Sequence, residues 1–218
     1  LKSLKNLIFS HNDDNEPLWL WHYYNIKANY AEWTEDYDRA IQNYNKCLSI
    51  PALGAFEYGA TFVNMAIAYR FMYLTSNTQN FDNIDKSIKL GKLGVFLKES
   101  VGDRDEMPVV LHNQALNVLY KMVNSTLDEA ACKEIVYITD DAISVLDRTK
   151  SIKRLGMLLI ENCITKSLLK QNYEDVAQRL NSHFPLLDEN ESQQILKLYK
   201  EFIKTDKIDR LDFLDKMI

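Results

Sequence analysis

The sequence predicts an all-α protein built from antiparallel helix pairs, and three observations carry that expectation. Glycine and proline number only 6 and 4 in 218 residues, too few for the many tight turns of a sandwich or barrel. Apolar residues recur at i, i+3, i+4 and i+7 in one segment after another, the period of a helix packed along one side. The stretches between these segments are short and polar, so consecutive helices have to turn back on one another. Roughly nine or ten helices emerge from this reading.

A short amphipathic piece over 1–9 is followed by a polar run and by Pro17, a residue suited to the first turn of a helix. The next helix is expected over 18–33. Thr34 and Asp36 can cap a second one, whose stripe is Tyr37, Ala40, Ile41, Tyr44 and Leu48 and which stops at Pro51. A second pair covers 54–98, broken by the polar loop 75–80. A third covers 106–147, with Ser125 or Thr126 able to cap its second helix, and a fourth covers 151–184. Closing helices occupy about 190–217. The whole span 1–218 reads as one domain.

Composition narrows the class further. An apolar share of 46% against 26% charged residues suits a folded, water-soluble chain. The net charge of −5, from 31 acidic and 26 basic residues, offers no footprint for a nucleic-acid backbone. No apolar run approaches the roughly 18 residues a membrane helix needs, and the apolar core near the start is too short for a secretory signal. Cys47, Cys132 and Cys163 are odd in number and far apart, so they read as buried apolar residues in a reducing cytoplasm. The start at Leu1 rather than Met is expected of a domain cut from a longer protein.

Asn64, Asn113 and Asn162 recur at equal intervals, each inside the first helix of an expected pair, in VNMAIAYR, HNQALNVL and ENCITKSL. The stretch from Trp19 to Pro51 goes further. Around Ala40 stand Tyr37, Tyr44 and Cys47, and the preceding helix carries Tyr24 and Ala28. This pattern resembles the tetratricopeptide repeat, a helix–turn–helix of about 34 residues whose small side chains let two helices approach closely. Lys27 and Ala31 depart from its usual large residues, and Pro51 arrives one residue early. Weaker echoes occur as IDKSI, LDEAA and NYEDVA. The resemblance implies a divergent tetratricopeptide-like α-solenoid, a right-handed superhelical stack of helix pairs. It also implies that a peptide or partner segment lies in a concave groove lined by the first helices. On that mapping Asn25, Asn29, Asn64, Arg70 and Asn113 face the groove, where side-chain amides can bond a peptide backbone as donor and acceptor. Some family members clamp a C-terminal carboxylate with two asparagines and three basic residues. Asn29 and Asn64 match the former, but Asn25, Val109 and Asn113 stand where the basic residues should be, which argues against that clamp.

The sequence holds none of the common phosphate-cradling glycine motifs, no H-E-x-x-H, no C-x-x-C and no G-x-S-x-G. His11, His22, His112 and His183 lack ligand-like spacing, so no metal or other cofactor is expected. The acidic loop with Asp103, Asp105 and Glu106 lacks the spacing of a calcium loop and suits the electrostatics of a helix start. KLGKLG, with Gly91 and Gly94, reads as a close helix contact, and Lys150, Lys153 and Arg154 as a solvated helix end. The aromatic run Trp19, Trp21, Tyr23, Tyr24, Tyr30 and Trp33 falls on more than one helical face, so part is core and part is available to a partner or to 1–9. The leading functional expectation is a non-catalytic scaffold module that binds a peptide or protein segment, with neither nucleic acid nor membrane as partner. Two others stand beside it: a peptide-responsive sensor domain of a larger regulator, and an all-α enzyme with a scattered site.

Overall fold

The computed structural model describes residues 16–76, 80–149 and 154–217, which form helices joined by turns and irregular stretches, with no strand among them. The expected helix over 1–9 lies outside the described residues, as do Lys150 and Lys153. Ten α-helices occur among the described residues. None of them is long and apolar enough to cross a membrane. The packing concentrates in two compact units, Leu1–Arg104 and Asp105–Ile218, so the span expected to form one domain carries its core in two parts.

In the first unit, α1 (Glu16–Trp33) and α2 (Tyr37–Leu48) form a hairpin, and α3 (Ala55–Thr75) and α4 (Phe81–Ser100) form another. Pro17 sits in the first turn of α1, where its missing N–H costs nothing. Of the two expected caps for α2, Asp36 takes the role, its carboxylate accepting the Arg39 N–H. Thr34 bonds back to the carbonyls of Tyr30 and Ala31 instead. Ala28, Ala31, Ala40, Tyr44, Met65 and Ala68 make one buried cluster. The alanines let α1, α2 and α3 approach closely around one large ring. Trp21, Cys47 and Ile50 make a second cluster towards the other end.

The two long helices α3 and α4 approach through glycine. A Cβ on Gly94 would stand 2.5 Å from Val63 Cγ2 and 3.2 Å from the Gly59 carbonyl oxygen, so only hydrogen fits there. The expected close contact at KLGKLG is therefore found, and Gly91 is buried in the same helix. At the end of α4 the buried Lys98 ammonium pairs with Asp103 at 2.8 Å and lies over the Phe56 ring at 3.6 Å. Asp103, in the acidic loop, thus neutralises a buried cation, while Glu106 holds the N-cap position of the following helix without a side-chain capping bond.

The second unit contains α5 (Met107–Val123), α6 (Glu129–Thr149), α7 (Leu155–Leu168), α8 (Glu174–His183), a 3-10 turn at Phe184–Leu186, α9 (Glu189–Lys204) and α10 (Asp212–Asp215). The cap of α6 is neither Ser125 nor Thr126. Asp128 fills it, its carboxylate accepting the Ala131 N–H and its carbonyl the Cys132 N–H, because the helix starts two residues later than its apolar pattern indicates. Lys207 reaches back to the carbonyls of Met122, Val123 and Ser125 at 2.5, 2.9 and 2.6 Å. It satisfies the acceptors left bare at the end of α5 and complements the negative end of that helix. Arg154 takes a left-handed conformation, φ 64°, ahead of α7, and its backbone N–H donates to Glu191.

Candidate functional site

Three contacts set the relation between α1 and α3. Trp21 Nε1 donates to Thr61 Oγ1 at 2.9 Å, Asn64 Nδ2 donates to Asn25 Oδ1 at 3.3 Å, and Arg70 acts electrostatically on Glu32. Both residue numbers rise together along this series, so the two first helices run parallel, side by side. By contrast α2 returns antiparallel against α1, since Tyr44 meets Asn29 while Cys47 meets the Trp21 carbonyl.

Asn25 and Asn64 are half-buried and bridge the two first helices. A side-chain amide carries a carbonyl and an NH2 group, so this bond uses the Asn64 donor and the Asn25 acceptor and leaves Asn25 Nδ2 and Asn64 Oδ1 outside it. Asn29 is exposed, one turn further along α1. The Tyr44 hydroxyl donates to Asn29 Oδ1 at 2.7 Å, and Glu32 Oε2 lies 3.1 Å from the same hydroxyl. One hydroxyl carries one proton, so Asn29 and an ionised Glu32 compete for it. Burial raises the Glu32 pKa, against the Tyr44 hydrogen bond and the Arg70 charge, which both lower it. Burial also raises that of Tyr44, and Glu32 adds to the effect.

The other predicted residues are placed differently. Arg70 is 5% exposed and its guanidinium lies 5.7 Å from the Phe71 ring centre. Its charge is spent inside the unit rather than offered on a surface. Asn113 belongs to the second unit, is 8% exposed and donates to the Val109 carbonyl of its own helix at 2.9 Å. The structure therefore joins Asn25 with Asn64 and sets Asn29 beside Tyr44. Asn162, the third residue of the equal spacing, is buried and donates to Thr139 Oγ1 and Asp140 Oδ1, tying α7 to α6. The three equally spaced asparagines thus do three different jobs.

Tyr44, which the sequence pattern marks as a core residue of α2, also holds Asn29 through its hydroxyl, and Glu32, which shares that hydroxyl, carries no motif by which a sequence could single it out. Nor does the buried pair of the second unit, His112 Nδ1 with Glu161 Oε1 at 2.6 Å. Each of those two residues immediately precedes one of the equally spaced asparagines, which is the only sequence trace of their contact. The thiols are buried and unpaired. Burial pushes their pKa values up to about 12 for Cys47, about 11 for Cys132 and about 12 for Cys163, so they stay protonated and weakly nucleophilic near neutral pH. Among the described residues no group of three or more His, Cys, Asp or Glu side chains is placed to hold a metal ion.

Burial of the aromatic run of α1 does not follow the helical face alone, since buried Tyr23 and exposed Tyr30, seven residues apart, lie on the same side. Trp21 and Tyr23 are buried, whereas Trp19, Ile26, Tyr30 and Trp33 are 52%, 49%, 56% and 80% exposed. Their spacing places the four on one side of the helix. Compared with known proteins, the chain matches no family model, no curated protein and no solved structure.

Proposed function

We propose that the protein is a non-catalytic binding module that holds a peptide or protein segment on a divergent tetratricopeptide-like stack of helix pairs wound as a right-handed superhelix. The observation that carries this reading is the half-buried amide bridge between two parallel first helices. Asn25 keeps a donor and Asn64 an acceptor, the two functions an extended peptide backbone can meet. The parallel course of α1 and α3, each followed by an antiparallel return, supports the stacked arrangement. The three protonated, unpaired thiols support a reducing compartment such as the cytoplasm and speak against thiol catalysis.

The test is selection of peptides from a random display library on the immobilised full chain, repeated with Asn25→Ala/Asn64→Ala. The reading expects enriched peptides whose affinity for the double variant falls while far-UV circular dichroism stays unchanged. Enriched peptides that bind both proteins equally would remove the amide bridge from the site, and a selection without enrichment would remove the peptide-binding reading itself.

A further inference from the structure

We infer that the site takes an extended, basic peptide segment whose apolar side chain anchors on Phe71, about three residues along from the residue held at Asn25 and Asn64. The inference rests on the peptide reading of that amide bridge and names the class of peptide it takes. At about 3.6 residues per turn, Asn25, Asn29 and Glu32 fall on one face of α1, and Asn64, Ile67 and Phe71 on one face of α3. The two helices run parallel, so these faces continue together from the bridge towards the C-terminal ends. There the surface turns from amide to carbon. Phe71 and Leu74 are exposed, and Tyr37, the first residue of α2, stacks on the Phe71 ring with centroids 5.9 Å apart and planes 9° from parallel.

Spacing, composition and charge identify the occupant. From Asn64 to Phe71 the helix rises about 10 Å, a length that an extended chain covers in about three residues. Amides at the bridge meet main-chain groups and read no side chain, so selectivity has to come from beside them. The Phe71 ring, backed on one face by Tyr37, is a rigid platform for one apolar side chain. Along 32–39, from the end of α1 into α2, Glu32, Glu35, Asp36 and Asp38 carry carboxylates against the single guanidinium of Arg39. Arg70, buried 5.7 Å from the Phe71 ring centre, opposes Glu32 and still leaves an excess of negative charge. Burial raises the Tyr37 pKa, and the charges of Glu35 and Glu32 raise it further, so their field reaches the platform. A peptide with Lys or Arg beside its apolar residue complements that field, and an acidic one is repelled.

The test is the display selection on the immobilised full chain, scored for peptide sequence as well as affinity. Enriched peptides are expected to carry a large apolar residue at one fixed position, and more Lys and Arg than Asp and Glu. Phe71→Ala should weaken the best of them about tenfold or more and erase the preference at that position, whereas Phe71→Leu should keep both. Asn25→Ala/Asn64→Ala should weaken every peptide and leave the preference in place. Added salt should weaken binding. If Phe71→Ala fails to fold by circular dichroism, the preference measured on the unaltered chain decides by itself. Peptides that depend on Asn25 and Asn64 yet share no apolar position, or bind Phe71→Ala as tightly as the unaltered chain, would overturn the anchor and leave the peptide reading standing. Enrichment of acidic peptides would overturn the charge assignment in the same way. A selection without enrichment would overturn both readings together.

Discussion

In the first unit the core around Tyr44 is made of Ala28, Ala31, Ala40 and Ala68, and Gly59 and Gly94 let α3 and α4 touch through backbone. In the second, α7 buries Leu158, Leu159, Ile160 and Ile164, and a histidine and a glutamate meet out of water beside them. At these contacts the first unit is specified by steric limits, where an added methyl group has nowhere to go, although it too buries an ion pair, Lys98 with Asp103. The second is specified by a polar pair that has to find its partner. Close packing tolerates little change of volume in either direction, whereas a buried pair tolerates loss of both members far better than loss of one.

That contrast can be broken, the largest effect first. Glu161→Leu is expected to cost about 1–3 kcal/mol by leaving the buried His112 ring nitrogen without its partner, read from urea unfolding. His112→Leu/Glu161→Leu should recover much of the loss, and a double variant no better than the single one would show that the pair has no special coupling. Gly94→Ala should cost about 1–3 kcal/mol through overpacking, although alanine is the better helix former by about 1 kcal/mol. Adding Val63→Ala removes the methyl group at 2.5 Å and should make the alanine less harmful, a coupling that a double-mutant cycle measures. If the cycle shows none, the steric account of the first unit fails.

Caps are expected to matter alike in both units. Asp36→Ala removes the acceptor for the Arg39 N–H and Asp188→Ala that for the Glu191 N–H, each at about 1 kcal/mol. The smallest effect is a pH dependence confined to the first unit. Glu32 has a folded pKa raised above 4.5 by burial, so the folded state binds its proton more tightly than the unfolded chain does. Its stabilising contribution is complete below pH 4.5 and is lost as pH rises through the raised value. Stability measured against pH should lose that fall in Glu32→Gln, and a fall of the same size in the variant would assign it to another group.

Much of this architecture was legible in the sequence because helices announce themselves locally. Pro17, Asp36 and the apolar period fixed the first hairpin, and the scarcity of glycine made Gly94 stand out as a contact. Caps were read less well where several candidates adjoin, as at Ser125, Thr126 and Asp128, since only the position of the first turn decides among them. Of the candidate site, Asn25, Asn29 and Asn64 could be named from a repeat pattern. That pattern could not reveal that Tyr44 and Glu32 meet beside Asn29, nor that Arg70 and Asn113 are buried, because these depend on how helices pack rather than on a residue's place in its own helix.

The sequence by itself determined the helices, their turns and the burial of the three thiols, since periodicity, caps and polarity act within a few residues. Tertiary structure alone decided which asparagines meet, which aromatic rings of α1 are covered, and how His112 and Glu161 find each other. Those outcomes follow from the register between helices, and register is set by the fit of distant side chains, such as Val63 against Gly94, that no local pattern encodes.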